Sequence, residues 1–277
     1  MTSKILLTGG SGTLGRKLFP PLLKAGYSVR ISSRGPRKGG IPAEVEWAQT
    51  SLETGEGLAQ AVQDVETIIH AASDVMNAKK IDIEGTRTLV EQAQQAGVRH
   101  LFYISIVGIE NFPGFAYYAA KLEAERIIAT SGVPYTILRT TQFHELLDQV
   151  FLPPLFKLPF IAPVPTDLKF QVVDSGEVAA RIAELVQQGP QGHVPDMGGP
   201  KVYPMGELAQ TWAAAHNVKK KILQWPVPGN TGHAFREGKN TTPDRSGKIT
   251  WEQYLAVKYS VDSIRAQNFG ERLKVEG

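Results

Sequence analysis

The chain contains no cysteine. That absence removes disulfide frameworks, thiol nucleophiles and zinc–thiolate centres together. The six histidines, at 70, 100, 144, 193, 216 and 233, are scattered and none forms a paired helical motif, so no metal site is expected. There is no Gly-x-Ser-x-Gly elbow and no phosphate loop ending in Gly-Lys-Ser/Thr, which argues against serine-hydrolase and phosphoryl-transfer chemistry. Excess charge is scarce too: a net charge of +3 is too small to indicate a nucleic-acid surface, and the basic run Lys219-Lys220-Lys221 is short and isolated, as a solvated cluster would be. Long apolar runs are missing. Ile5-Leu6-Leu7 behind Met1–Lys4 is too short for a signal peptide, and Val150–Val164 is interrupted by Lys157 and by prolines 153, 154, 159 and 163. We therefore expect a cytoplasmic protein with no membrane span and no nucleic-acid partner, and read Val150–Val164 as a lid or pocket wall.

What is present is an ordinary folding composition, 42% hydrophobic and 21% charged, arranged as alternating short β-branched runs and longer amphipathic stretches. Strands are expected at 4–8, 28–32, 45–48, 67–71, 100–105 and 135–139, with helices at 13–25, 55–63, 80–96 and 116–130 between them. This is the βαβ pattern of an α/β, Rossmann-type, doubly wound parallel sheet. Right-handed crossovers bring the carboxyl ends of all its strands to one edge. After about residue 145 prolines punctuate the chain, with a helix at 175–188, a short strand at 193–197 and a helix at 205–216. We expect a dinucleotide-binding core over 1–150 and a smaller substrate-binding lobe over 151–277, partly packing back on the core.

Thr8-Gly9-Gly10-Ser11-Gly12-Thr13-Leu14-Gly15 follows the first strand and opens the first helix. Gly9 suits the tight turn, Gly12 the approach of backbone N–H groups to a pyrophosphate, and Gly15 close packing of helix on strand. Ser11, Thr13 and Leu14 complete this loop. About twenty residues on, an NAD-binding sheet usually carries an acid for the ribose hydroxyl. Here the sequence reads Ser32-Ser33-Arg34-Gly35-Pro36-Arg37-Lys38, a set of cations suited to a 2′-phosphate. The expected cofactor is NADP(H) in preference to NAD(H), with Ser33 and Arg34 at the phosphate. Ala71, Ala72 and Ser73 end a buried strand with small residues that leave room for the ribose and pyrophosphate.

Tyr117 and Lys121 lie four apart at the start of a helix, placing phenol and ammonium on one face. An ammonium beside a phenol lowers its pKa and fits it for proton transfer. Tyr118 competes as the phenol, but only Tyr117 has a lysine one turn later. Ser105, at the end of the preceding strand, could hydrogen-bond a substrate carbonyl. Thr140, Gln142, Phe143 and His144 follow the sixth strand as candidate pocket residues for a small, apolar substrate; a packed wall is the other reading of His144.

Thr8–Gly15 with Ser105, Tyr117 and Lys121 resembles the short-chain dehydrogenase/reductase superfamily. The glycine loop resembles its extended and atypical members, and Tyr135–Arg139 with Gln142-Phe143 the NmrA-like branch. The resemblance implies that Tyr117 is the general acid/base, that Lys121 holds the nicotinamide ribose, and that Ser105 orients a carbonyl. It also implies an asparagine where Asp82 stands here. An NADPH-dependent oxidoreductase is the leading expectation. A non-catalytic NADP(H)-sensing regulator and a sugar-nucleotide epimerase or dehydratase are the alternatives, and the sequence leaves the oligomeric state open.

Overall fold

The computed structural model describes residues 3–37 and 39–260, so Lys38 of the basic loop lies outside the described residues. The chain packs as two units, Met1–Thr141 with Ser175–Met197, and Gln142–Asp174 with Gly198–Gly277. Set beside the expected division at residue 150, the packing division comes after Thr141, and the segment from Ser175 to Met197 returns to the first unit.

The strands in chain order are β1 (Lys4–Thr8), β2 (Ser28–Ser33), β3 (Glu46–Gln49), β4 (Thr67–His70), β5 (His100–Ile106), β6 (Tyr135–Thr140), β7 (Gln142–Phe143), β8 (Ile161–Val164), β9 (Lys169–Val173), β10 (Gly192–His193), β11 (Val202–Pro204) and β12 (Lys221–Gln224). The helices are α1 (Thr13–Lys24), α2 (Leu58–Ala61), α3 (Gly85–Gln95), α4 (Ala116–Ala129), α5 (His144–Leu146), α6 (Leu152–Leu155), α7 (Ser175–Gln188), α8 (Met205–Ala215) and α9 (Gly229–Glu237), and residues 251–260 are also helical.

The first unit holds a seven-stranded parallel sheet in the order β10-β6-β5-β4-β1-β2-β3. Ile5, Leu6 and Leu7 are all buried, because helices cover both faces and a strand in the middle of such a sheet has no solvent side. Leu14, Leu18 and Leu22 recur at helical spacing to form the buried stripe of α1, which packs beside α7. The sheet runs one way from β1 through β2 to β3 and the other way from β4 through β5 to β6. The reversal falls between β1 and β4, and ligands of such sheets bind outside the strand ends there.

Two elements differ from expectation in an informative way. The helix expected at 80–96 begins as a π-helical segment, Lys79–Glu84, before α3; its wider turn carries the buried residues Ile81 and Asp82. The strand expected at 193–197 shrinks to β10 and resumes only as a bridge between Thr140 and Met197, since Pro195 has no N–H to give the ladder.

The second unit contains a three-stranded sheet, β11-β9-β7, and a parallel pair, β12-β8. Phe170, Val172, Tyr203, Leu208, Trp212 and Trp251 are among the buried residues of its core. Within that core Asp148 is 2% exposed. Its carboxylate accepts from Trp212 Nε1 at 2.8 Å, Tyr254 OH at 2.9 Å and Tyr259 OH at 2.7 Å, and from Lys258 Nζ. Burial alone would raise its pKa, but these hydrogen bonds, led by that of Lys258, hold it below the ordinary value. The helix at residues 251–260 is thereby tied to α8 through one buried charge. Replacing Asp148 by alanine strands the buried Trp212 donor and three half-buried ones at once. We expect Asp148→Ala to cost about 2–4 kcal/mol in urea unfolding of the full chain, and Asp148→Asn to recover part of it.

Candidate cofactor and active site

The loop between β1 and α1 is shaped by close backbone approach. Gly9 has φ +68°, and a β-carbon there would lie 2.7 Å from Ala71 O and Ala72 N, while one on Gly15 would lie 2.3 Å from Gly9 O. Larger residues would push the loop off the end of β4. Gly12 caps α1 with no side-chain hydrogen bond and the first turn holds no acid, which leaves the positive end of the helix without an anionic side chain of its own. A cleft of about 250 Å³ opens beside it, lined by Thr8, Gly9, Ser11, Gly12, Ser32, Ser33, Arg34, Thr50, Leu52, Ala71, Ala72, Ser73, Asp74 and Ile81. Every residue expected at the cofactor from the strand ends is therefore in one place. Thr13 is exposed at the start of α1, whereas Leu14 and Gly15 are buried beneath it and do not line the cleft.

The two arginines after β2 have separate jobs. Arg34 is 66% exposed and its guanidinium lies 4.0 Å from Asp74. Its backbone is fixed by Gln49 Nε2, which donates to Arg34 O at 3.3 Å, and by Trp47 Nε1, which donates to Gly35 O at 3.1 Å. Arg37 instead donates to the carbonyls of Val45 at 2.9 Å, Ile41 at 3.3 Å and Pro42. It closes its own loop, and among the described residues of that loop the cation lining the cleft is Arg34.

A contact that the sequence did not reveal runs beneath the cleft. Thr86 donates its hydroxyl proton to Asp82 O at 2.6 Å, so its 3.0 Å contact with His70 Nε2 requires an N–H there. His70 Nδ1 is then an acceptor, and takes the proton of Thr8 Oγ1 at 2.7 Å; Thr8 Oγ1 in turn accepts from Ala72 N at 3.3 Å. This chain couples both sides of the cleft to the π-helical segment. Burial first, and the nearby Lys121 charge second, push the His70 pKa down to about 3. A lone buried histidine on an apolar strand gave no sequence signal for this role.

Tyr117, Lys121 and Ser105 all lie in the first unit, but their bonds differ from the expected ones. Tyr117 OH lies 2.9 Å from Ser73 Oγ, and Ser73 Oγ donates to Asp82 Oδ1 at 2.6 Å, while Asp82 Oδ2 accepts from Asp74 N at 3.1 Å. Because Ser73 spends its proton on Asp82, it is Tyr117 that donates to Ser73. The Tyr117 pKa is pushed up to about 12, by burial first and by the Asp82 charge, against the opposing influence of its hydrogen bond with Ser73. This corrects the expectation of a phenol lowered by its lysine. Lys121 is buried, donates to Ile104 O at 2.8 Å and sits 4.1 Å from the Tyr103 ring; burial pulls its pKa down to about 8, with Asp82 and Glu125 opposing. Ser105 Oγ is 1% exposed as a residue and finds no partner among the described residues. Tyr118 packs against Phe115 at 4.6 Å and edge-on to Phe112 at 5.3 Å, within an aromatic cluster.

The expected pocket residues are distributed between the units. Thr140 is buried at the end of β6. Gln142 and Phe143 form β7 of the second unit, and His144, which begins α5, is fully buried there with Tyr254 at 4.9 Å and Trp251 at 5.9 Å. None of the four lines the cleft described above.

The NAD(P)H-binding family model matches residues 9–148. The chain belongs to this NAD(P)H-binding family. Photosystem II assembly factor Ycf39 of Trieres chinensis is 31% identical over 164 residues, 57% of this chain and 51% of that protein, so the match spans about half that relative's length. Ycf39 of Guillardia theta is 26% identical over 275 residues, covering 96% of this chain and 88% of the relative. The NADPH complex of quinone oxidoreductase QOR2 from Escherichia coli superposes with a TM-score of 0.74 at 19% identity, covering 91% of this chain and 98% of that one, a likeness of fold. The resemblance to short-chain dehydrogenase/reductases agrees with both family and fold.

Two tests follow from the site. Gly9→Ala should weaken NADPH binding at least tenfold by fluorescence titration, since its β-carbon meets the β4 end. The second concerns acid. His70, pushed down to about 3, and His100, pushed by burial to about 4, stay neutral in the folded chain, whereas the unfolded chain protonates each near 6.5. Their contribution is full above that value and lost as pH falls below it, by up to roughly 1.4 kcal/mol per pH unit for each residue. His70→Gln should flatten the slope of stability against pH between about 6 and 4 by one proton's worth.

Proposed function

We propose that this protein is an NADPH-dependent oxidoreductase that reduces a carbonyl- or quinone-like apolar substrate, with Tyr117 as general acid. The observation that carries the reading is the directed hydrogen-bond chain from Tyr117 OH through Ser73 Oγ to the buried carboxylate of Asp82. The cleft suits the dinucleotide: Gly9 and Gly15 let the loop close on the end of β4 and the start of α1 where β-carbons would not, and the N-terminus of α1 is uncapped. Arg34 would hold the 2′-phosphate, which supports NADPH over NADH. When bound, the cofactor supplies the hydride. Ser105 Oγ, buried and unpartnered among the described residues, is suited to orient a substrate oxygen. Tyr117, a phenol at neutral pH, donates its proton to the oxygen that gains charge. Its phenolate can then be reprotonated by Ser73 Oγ, which recovers a proton through Asp82 once that carboxylate has taken one up from solvent. Burial raises the Asp82 pKa, against the opposing influence of Lys121 and of the Ser73 hydrogen bond. Asp82 thus takes up the position where the family resemblance implied asparagine.

A second reading, a non-catalytic protein whose partner affinity follows cofactor occupancy, is favoured by the full-length similarity to a relative named as an assembly factor. Turnover separates the two. NADPH oxidation across a panel of quinones and aromatic aldehydes should reveal an acceptor, with kcat lowered on the order of a hundredfold or more in Tyr117→Phe. Asp82→Asn should keep NADPH affinity and change the pH profile of kcat. Arg34→Ala should weaken NADPH roughly tenfold, about 1.4 kcal/mol, and leave NADH unchanged. An inactive panel, together with a partner that binds only the NADPH-loaded form, would establish the second reading instead.

A further inference from the structure

The second unit presents a face that neither the cofactor cleft nor the candidate catalytic set uses. β8 and β12 pair in parallel, Lys221 with Ile161, Ile222 with Ala162, Leu223 with Pro163 and Gln224 with Val164. Alternation buries Ala162 and Val164 and leaves Ile161, Lys221 and Leu223 exposed. Beyond the strand ends Phe160 is 84% exposed, Trp225 60% and Leu158 49%.

Phe160 is not a side chain left outside by chance. Its φ is +64°, in the left-handed region that a bulky residue rarely adopts. The turn is held by Ile161 N–H donating to Pro159 O at 2.8 Å and Lys221 N–H donating to Phe160 O at 2.9 Å. Lys220 Nζ adds donation to the carbonyls of Phe156 and Leu158. Surroundings that hold a strained backbone so as to send a phenyl ring into water point to a use for that ring.

The two chain segments that form this face carry charges of one sign. Residues 156–166 and 216–230 contain Lys157, Lys219, Lys220 and Lys221 and no aspartate or glutamate. The next acid along the chain, Asp167, is taken up by Gln224 at 2.9 Å and Arg236 at 3.5 Å. Protein interfaces are depleted in lysine, and Leu158, Ile161 and Leu223 offer a nucleobase nothing to stack on. Aromatic tips among aliphatics and lysines are instead the composition that sits at a bilayer surface, rings at headgroup level and ammonium groups on anionic lipid. Among the described residues no helix is long and apolar enough to cross a membrane.

We propose that the β8–β12 face, with Phe160 and Trp225 as its anchors and Lys157, Lys219 and Lys221 around them, docks peripherally on an anionic lipid surface. The test is co-sedimentation of the full chain with vesicles of phosphatidylglycerol and phosphatidylcholine, against phosphatidylcholine alone. Binding should be at least fivefold stronger to the anionic vesicles and should weaken with salt. Trp225→Ser and Lys219→Glu/Lys221→Glu should each lower it at least fivefold. Phe160→Gly should do the same while leaving thermal unfolding unchanged or raised, because glycine accepts the positive φ, and this keeps loss of contact distinct from loss of fold. Absence of binding to anionic vesicles, or binding untouched by these substitutions, would overturn the proposal. So would a dimer in sedimentation that Phe160→Gly disperses, which assigns the face to a second copy, or tighter binding to a single-stranded oligonucleotide than to vesicles.

Discussion

The approach of three stretches of backbone at Gly9 is the constraint on which the cofactor cleft depends. Residue 9 passes within contact of Ala71 and Ala72, and the first turn of α1 closes over it at Gly15. Only because no side chain stands between them can the end of β1, the end of β4 and the start of α1 share one small volume. The parallel sheet makes that meeting possible, since its order reverses between β1 and β4. Thr8 and His70, one at each of these strand ends, then bond to each other, and the bond survives because burial keeps the imidazole neutral.

The same burial governs the candidate chemistry. Taken out of water, Tyr117 holds its proton more tightly and Lys121 holds its proton less tightly. The outcome is a phenol set as a donor, pointing along Ser73 to a carboxyl that is itself desolvated. Asp82 reaches this position because the turn before α3 is π-helical, and its wider winding accommodates an inward carboxyl. Lys121, hydrogen-bonded to the strand carbonyl at Ile104, contributes charge from a fixed place.

In the second unit a buried charge has a structural role. Asp148 gathers donors from α8 and from the helix at residues 251–260, within a core that mixes aliphatic side chains with Phe156, Trp212 and Trp251. A carboxylate so satisfied is tolerated inside, whereas each donor without it would be an unpaid desolvation. His144 lies in the same aromatic surroundings, which favours the packed-wall reading over a pocket role.

The glycine loop, the β-strand and helix periodicities, the missing acid after β2 and the Tyr117–Lys121 spacing were all legible in the sequence, because each is a local property of residue type and interval. Close turns require glycine, buried strands require unbroken apolar runs, and a helix repeats every three to four residues. The two arginines of one short loop look alike until the fold gives Arg37 three carbonyls and leaves Arg34 to the cleft. Which partner Tyr117 takes, how burial shifts its proton, and that Ser175–Met197 joins the first unit are likewise beyond local pattern. These were decided only in the tertiary structure, since hydrogen-bond partners and desolvation belong to residues distant in sequence that the packed chain brings together.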